Sequence, residues 1–129
     1  AQELRRQAAA LPGVRIEPFL TDFAAHLAAA RLSVSQAGYN TVCDVLRAGC
    51  RSVLVPYATG GETEQTARAE RLAALGRAAM LPERALSAQA LVAQITLALE
   101  GPDPEQLSLS LEGAAQTATI LCYLAQTRV

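Results

Sequence analysis

With 129 residues and a formal net charge of −1, the chain is one domain's worth of sequence, long enough to bury an ordinary core. Hydrophobic residues make up 51% but aromatics only 4%, with no Trp, so aliphatic side chains and Ala must fill that core. The charge balance argues against a nucleic-acid partner, there being no basic cluster beyond Arg5-Arg6. All eleven basic residues are Arg, so no lysine is available for Schiff-base or phosphate-loop work.

In chain order, Gln2–Ala10 has helical composition, and Pro12-Gly13 stops it. No start signal precedes it and the first residue is Ala, so the chain reads as part of something longer. Val14-Arg15-Ile16-Glu17 alternates like a strand until Pro18. Thr21 or Asp22 then caps a helix to about Ala30. Leu32–Ser35 is predicted as a strand and Tyr39–Ala48 as a helix closed by Gly49. Ser52–Val55 is a continuous apolar run, as expected of a strand buried on both faces of a parallel sheet. A loop at Tyr57–Gly61 precedes a helix from about Glu62 to Leu75, with Gly76 at its end. Ala78–Leu81 is a fourth strand, and Ser87 caps a helix to about Glu100. Gly101–Pro104 breaks the chain before a final helix, Gly113–Arg128.

Strands alternating with helices in this rhythm predict an α/β fold, a Rossmann-like parallel sheet with helices on both faces. Cys43, Cys50 and Cys122 show no metal-ligand spacing, and no metal site is expected; they read as reduced structural thiols of a cytoplasmic protein. The late apolar segment Ala114–Ala125 is too short to span a bilayer and is interrupted by Gln116, Thr117 and Thr119.

Three polar clusters follow predicted strand ends, the edge at which open α/β sheets bind ligands. The first is Phe19-Leu20. In the second, Ser33–Asp44, a glycine turn leads into a helix opening with Asn40 and Thr41. Unpaired N–H groups at such a start attract anions, and Asp44 shares a helix face with Asn40 and Thr41. A phosphate at the turn and a polyol on the acid would describe a nucleotide. Equally, Asp44 can simply complement the helix dipole and Asn40 cap the helix. In the third, Ala58–Gln65, two glycines precede Glu64 and Gln65. A carboxylate beside an amide suits vicinal sugar hydroxyls; the plainer reading is an acidic first turn capped by Thr59 or Thr63. His26 has no nucleophile or acid to form a catalytic set with, and Arg68, Glu70 and Arg71 read as a solvated helix face.

Together, Gly38-Tyr39-Asn40-Thr41, Asp44, Ala48-Gly49, Val55-Pro56, Glu64-Gln65 and Arg68-Ala69 resemble the C-terminal, donor-binding domain of GT-B glycosyltransferases, in particular the glycosyltransferase family 28 C-terminal domain. They are also similar to the signature of plant secondary-product glycosyltransferases. The resemblance covers about Val14 to Ile95. It implies that Asp44 holds the donor's ribose hydroxyls, where relatives usually have the longer Glu. Gly38, Asn40 and Thr41 would face the diphosphate. Leu20, after Phe19, would meet the uracil ring with its backbone. Gln36 falls where the plant signature has His, making any phosphate contact there neutral. Glu64 and Gln65 would contact the donor sugar.

The expected parent activity is transfer of a sugar from a nucleotide sugar, UDP-linked, to an acceptor, without a cofactor or metal. No catalytic residue is assigned in this chain. It is expected to be a single partial domain (residues 1–129) lacking its first strand and glycine-rich loop. The acceptor domain and catalytic base would lie in the missing N-terminal half, leaving the fragment inactive alone. The final helix, with Ala118, Ile120, Leu121 and Leu124, would cover its apolar face by homodimerising or folding back. The location expected is cytoplasmic, with peripheral membrane attachment of the full-length protein left open. Rival readings are a UDP-sugar epimerase of GT-B fold and a non-catalytic nucleotide- or partner-binding module.

Overall fold

The computed structural model of the protein describes residues 1–104 and Cys122. Its elements run α1 (Gln2–Ala9), α2 (Phe23–Ala29), β1 (Ser33–Ser35), α3 (Tyr39–Ala48), β2 (Ser52–Leu54), α4 (Glu64–Ala74), β3 (Ala79–Met80) and α5 (Ala88–Glu100). Short 3₁₀ turns at Thr59–Gly61 and Glu83–Ala85 had no counterpart in the sequence reading. The expected helix at Gly113–Arg128 lies outside the described residues, apart from Cys122.

The three strands form one parallel sheet in the order β1-β2-β3. Ser33, Val34 and Ser35 pair with Ser52, Val53 and Leu54, while Val53 and Leu54 pair with Ala79 and Met80. Every residue of β2 is buried, which is why its sequence is unbroken rather than alternating. Successive side chains point to opposite faces, so β2 serves two half-cores. Leu54 joins Ala37, Val42, Ala69 and Leu72, the inward residues of α3 and α4 and of the turn before α3. Val53, fully buried, faces the other way, and α5 is the helix packed against β2 there. The architecture is therefore α/β, a Rossmann-like parallel sheet with helices on both faces. Among the described residues no helix is long and apolar enough to cross a membrane.

Local chemistry explains the helix limits. Asp22 accepts the Ala25 N–H at 3.2 Å to start α2, and Ser87 accepts the Ala90 N–H at 3.0 Å to start α5. Gly49 ends α3 in the left-handed region (φ 63°), and its N–H returns to the Leu46 carbonyl. On α4 neither Thr59 nor Thr63 caps. The Glu62 carboxylate does so instead, accepting from the N–H groups of Glu64 and Gln65.

One expected strand is corrected. Val14–Glu17 is exposed chain without strand pairing. Its alternation is real, but a strand exists only where a neighbour completes its ladder, and among the described residues β1 pairs with β2 alone. Val14, Ile16 and Val34 accordingly keep 48%, 41% and 43% of their surface exposed.

The Gly49→Ala variant measures the α3 stop. A Cβ at this position would meet no atom within 4 Å, so the cost is backbone strain alone, about 1–2 kcal/mol. Urea unfolding should show that loss; an unchanged midpoint would contradict the left-handed stop.

Candidate functional site

The first two of the three β–α connections, which leave the carboxyl end of the sheet, carry most of the candidate residues. The first, Gln36–Gly38, leads from β1 into α3, whose N-cap is Gly38 with no side-chain cap. The first helical bond received is Val42 N–H to the Gly38 carbonyl. The N–H groups of Tyr39, Asn40 and Thr41 thus have no partner among the described residues, as at any helix start left without a capping side chain. Asn40 is not the cap, since it is the second residue of the helix. A Cβ at Gly38 would meet no protein atom within 4 Å, so glycine keeps the approach to these N–H groups open rather than relieving a clash.

Asp44 lies on α3 one turn further on, half-buried, with no hydrogen bond or ion pair to the described residues. A carboxylate bound only to salvage the helix dipole belongs in the first turn; Asp44 is beyond it. Asn40 is exposed and Thr41 half-buried.

The second connection, from β2 to α4, is tied to the first by one side chain. Gln65 Oε1 accepts the Ala37 N–H at 3.1 Å and the Tyr57 N–H at 3.0 Å. Arg68, one turn along α4, donates to the Ala37 carbonyl at 2.6 Å and lies 5.7 Å from the centre of the Tyr39 ring. Arg68 is half-buried and so is corrected from a solvated charge to a fastener of the α3 start. Arg71 and Glu70 are exposed, as expected. A second tie joins the next loop, where Glu83 Oε2 accepts from the Ala58 N–H at 3.3 Å and the Thr59 hydroxyl at 3.4 Å.

The structure therefore fastens the start of α4 to Ala37, the residue before Gly38, with Asn40, Thr41 and Asp44 following along α3 and Glu64 exposed at the start of α4. With its oxygen committed to two backbone groups, Gln65 has only its –NH₂ left to offer a ligand. Gln36 is exposed on the connection itself. Phe19 and Leu20 do not follow a strand; Phe19 is 78% exposed and Leu20 half-buried. They precede α2, which packs on α3, and no hydrogen bond among the described residues joins them to the helix start. None of these nine residues lines the cavities beside Leu27 and Cys50, beside Thr59 and Glu83, or beside Ser52 and Arg77. The candidate site is an open edge. Beside it, a cavity of about 670 Å³ is lined by Thr59, Thr66, Glu70, Met80 and Glu83 among others.

Sequence reasoning missed Glu62 and Glu83, whose partners are backbone groups set by loop shape, which no motif announces. His26 is exposed, and its Nδ1 donates to the Asp22 carbonyl at 2.7 Å. The described residues hold no group of three His, Cys, Asp or Glu suited to a metal. Burial pushes the Cys50 thiol up, and Cys43, Cys50 and Cys122 are all unpaired as disulfides.

The family described as the glycosyltransferase family 28 C-terminal domain matches residues 1–118. The chain belongs to this family. Three relatives share the description UDP-N-acetylglucosamine--N-acetylmuramyl-(pentapeptide) pyrophosphoryl-undecaprenol N-acetylglucosamine transferase. The one from Rhodospirillum centenum is 38% identical over 69% of this chain and 24% of its own. That of Stutzerimonas stutzeri is 40% identical over 78% and 29%, and that of Rhizobium leguminosarum bv. trifolii 34% over 88% and 31%. The matched region thus spans about a quarter to a third of each relative. A solved structure described as the glycotransferase of kitacinnamycin superposes with a TM-score of 0.61 and 24% identity, over 70% of this chain and 22% of that one. It shares the fold.

Gln65→Leu should remove the acceptor and strand two backbone donors, destabilising the protein by roughly 2 kcal/mol. Gln65→Glu keeps an acceptor and should unfold near the wild-type midpoint. Equal losses in both variants, measured by urea unfolding, would contradict the clasp.

Proposed function

We propose that this chain is the donor-binding part of a glycosyltransferase that takes its sugar from a UDP-linked donor. The observation that carries the reading is the uncapped start of α3, whose first N–H groups, like Asp44 one turn beyond, have no partner among the described residues. A diphosphate suits the first, because oriented backbone N–H groups and the helix dipole favour negative charge. Ribose hydroxyls suit the second, since a carboxylate accepts from two vicinal donors at once. Asn40 and Thr41 add polar groups beside the phosphates, Gln36 a neutral amide, and Leu20, after Phe19, its backbone to the uracil ring. Glu64 and the remaining –NH₂ of Gln65 face the sugar.

The reaction supported is displacement at the anomeric carbon with nucleoside diphosphate leaving. As the glycosidic bond to the diphosphate breaks, negative charge grows on the leaving oxygens. Preorganised N–H donors at the α3 start stabilise that charge more than they stabilise the intact donor. No cofactor is called for in this scheme. The acceptor and the group that deprotonates it belong to a further, N-terminal domain. An open edge rather than an enclosed pocket is the shape a second domain could close over. The relatives' shared description makes UDP-N-acetylglucosamine the first donor to try.

Calorimetric titration of the full-length protein with UDP, GDP and TDP, repeated with Asp44→Ala, tests the reading. UDP should bind, and Asp44→Ala should weaken it roughly tenfold or more, the loss expected for charge-assisted hydrogen bonds. No nucleotide binding, or an Asp44→Ala variant that binds as the wild type does, would overturn the site. Formation of an epimer from the UDP-sugar without acceptor and without UDP release would overturn the transferase reading.

A further inference from the structure

The opposite end of the sheet holds a second polar feature that the donor edge does not use. Arg77, on the connection from α4 to β3, is only 8% exposed. Its Nε is buried with no hydrogen-bond partner among the described residues, and so is the hydroxyl of Ser52, the first residue of β2, which is 3% exposed. Both residues line one open cavity of about 270 Å³, which Gln94 and Leu97 of α5 border on its other side.

Arg51 also lines this cavity, but its charge is spent. It donates to the Ala98 and Leu99 carbonyls at 3.1 and 2.7 Å and pairs with Asp103 at 2.8 Å. The carbonyl end of α5 and the Asp103 carboxylate therefore serve Arg51. Continuing the β2–β3 register (Val53 opposite Ala79) places Arg77 across from Arg51, and no ion pair to Arg77 exists among the described residues. A guanidinium whose Nε is buried and unpartnered, and which has no counter-charge among the described residues, carries a desolvation cost, and a buried hydroxyl without a partner adds to it.

We propose that this cavity is a small-oxyanion site. Arg77 supplies the charge and forked donors, Ser52 a hydroxyl donor, and the Gln94 amide is within the same lining. The volume holds phosphate or a small carboxylate, and the site lies at the amino end of the sheet, lined by none of the donor-edge residues, so it is distinct from that edge. An anion bound there stabilises the junction of β2, β3 and α5 and leaves the start of α3 untouched.

The test follows thermal unfolding of the full-length protein against inorganic phosphate and, separately, acetate, in chloride at matched ionic strength. Wild type should show a saturable rise in Tm with at least one of the two, phosphate identifying a tetrahedral and acetate a planar ligand. Arg77→Met should unfold in chloride at or above the wild-type Tm, because it deletes a largely buried cation with no counter-charge among the described residues, and should bind the anion roughly tenfold more weakly or worse. Ser52→Ala should weaken binding less. Asp44→Ala should keep the full response. Absence of any saturable rise, or a rise that persists undiminished in Arg77→Met, would overturn the site; the latter would assign the anion to another place such as the α3 start. Either failure leaves the UDP titration unaffected, so the two readings fall separately.

Discussion

The carboxamide oxygen of Gln65 is the constraint on which the carboxyl edge of the sheet depends. By accepting from Ala37 and Tyr57, it fixes the end of the β1–α3 connection against the start of the β2–α4 connection. Each N–H would otherwise need another partner as its connection leaves the sheet. Arg68 completes the fastening through the Ala37 carbonyl and the Tyr39 ring. Ala37 itself is fully buried in the core with Leu54, Val42, Ala69 and Leu72. The geometry of the α3 start is thereby coupled to the packing of both helices on that face, and the open N–H groups sit on a rigid support. Such preorganisation is what lets backbone dipoles stabilise charge without first reorienting.

That same economy changes the chemistry of the clasp residue. In the sequence, Glu64 and Gln65 look equivalent, two side chains able to meet a sugar. In the fold they divide. Glu64 stays exposed at the helix start while Gln65 spends its acceptor on the backbone. A glutamine suits this double duty, because its oxygen can hold the loops while its –NH₂ still points donors elsewhere.

Much of the fold was legible because local chemistry and burial agreed. Gly49, Asp22 and Ser87 mark helix ends by rules that need no tertiary knowledge, and the apolar run of β2 could belong only to a strand covered on both faces. The α3 limits followed for the same reason. Val14–Glu17 failed because strand pairing is a property of two segments, and its alternation says nothing of whether a neighbour is there. Glu62 displaced Thr63 as the cap of α4 because the residue before it turns back toward the helix, a matter of backbone path. Arg68 was misread since charge at helical spacing looks alike on a solvated face and beside a neighbouring loop. Within the candidate site, the residue types and their edge were readable from motif and topology. The links between them were not, because they join a side chain to backbone groups 8 and 28 residues away.

The two ends of the sheet carry different polar logic. At the carboxyl edge, the donors are backbone groups and the surface is open. At the amino edge they are arginines, one neutralised by Asp103 and the end of α5, the other buried without a partner among the described residues. The account stands most directly on the backbone donors of the α3 start. Amide hydrogen exchange of Tyr39, Asn40 and Thr41, followed by NMR on the full-length protein with and without UDP, measures them one by one. Saturating UDP should slow exchange at these three amides and leave those beside Arg77 unchanged. Unchanged exchange at Tyr39, Asn40 and Thr41 under saturating UDP would show that the helix start does not hold the diphosphate.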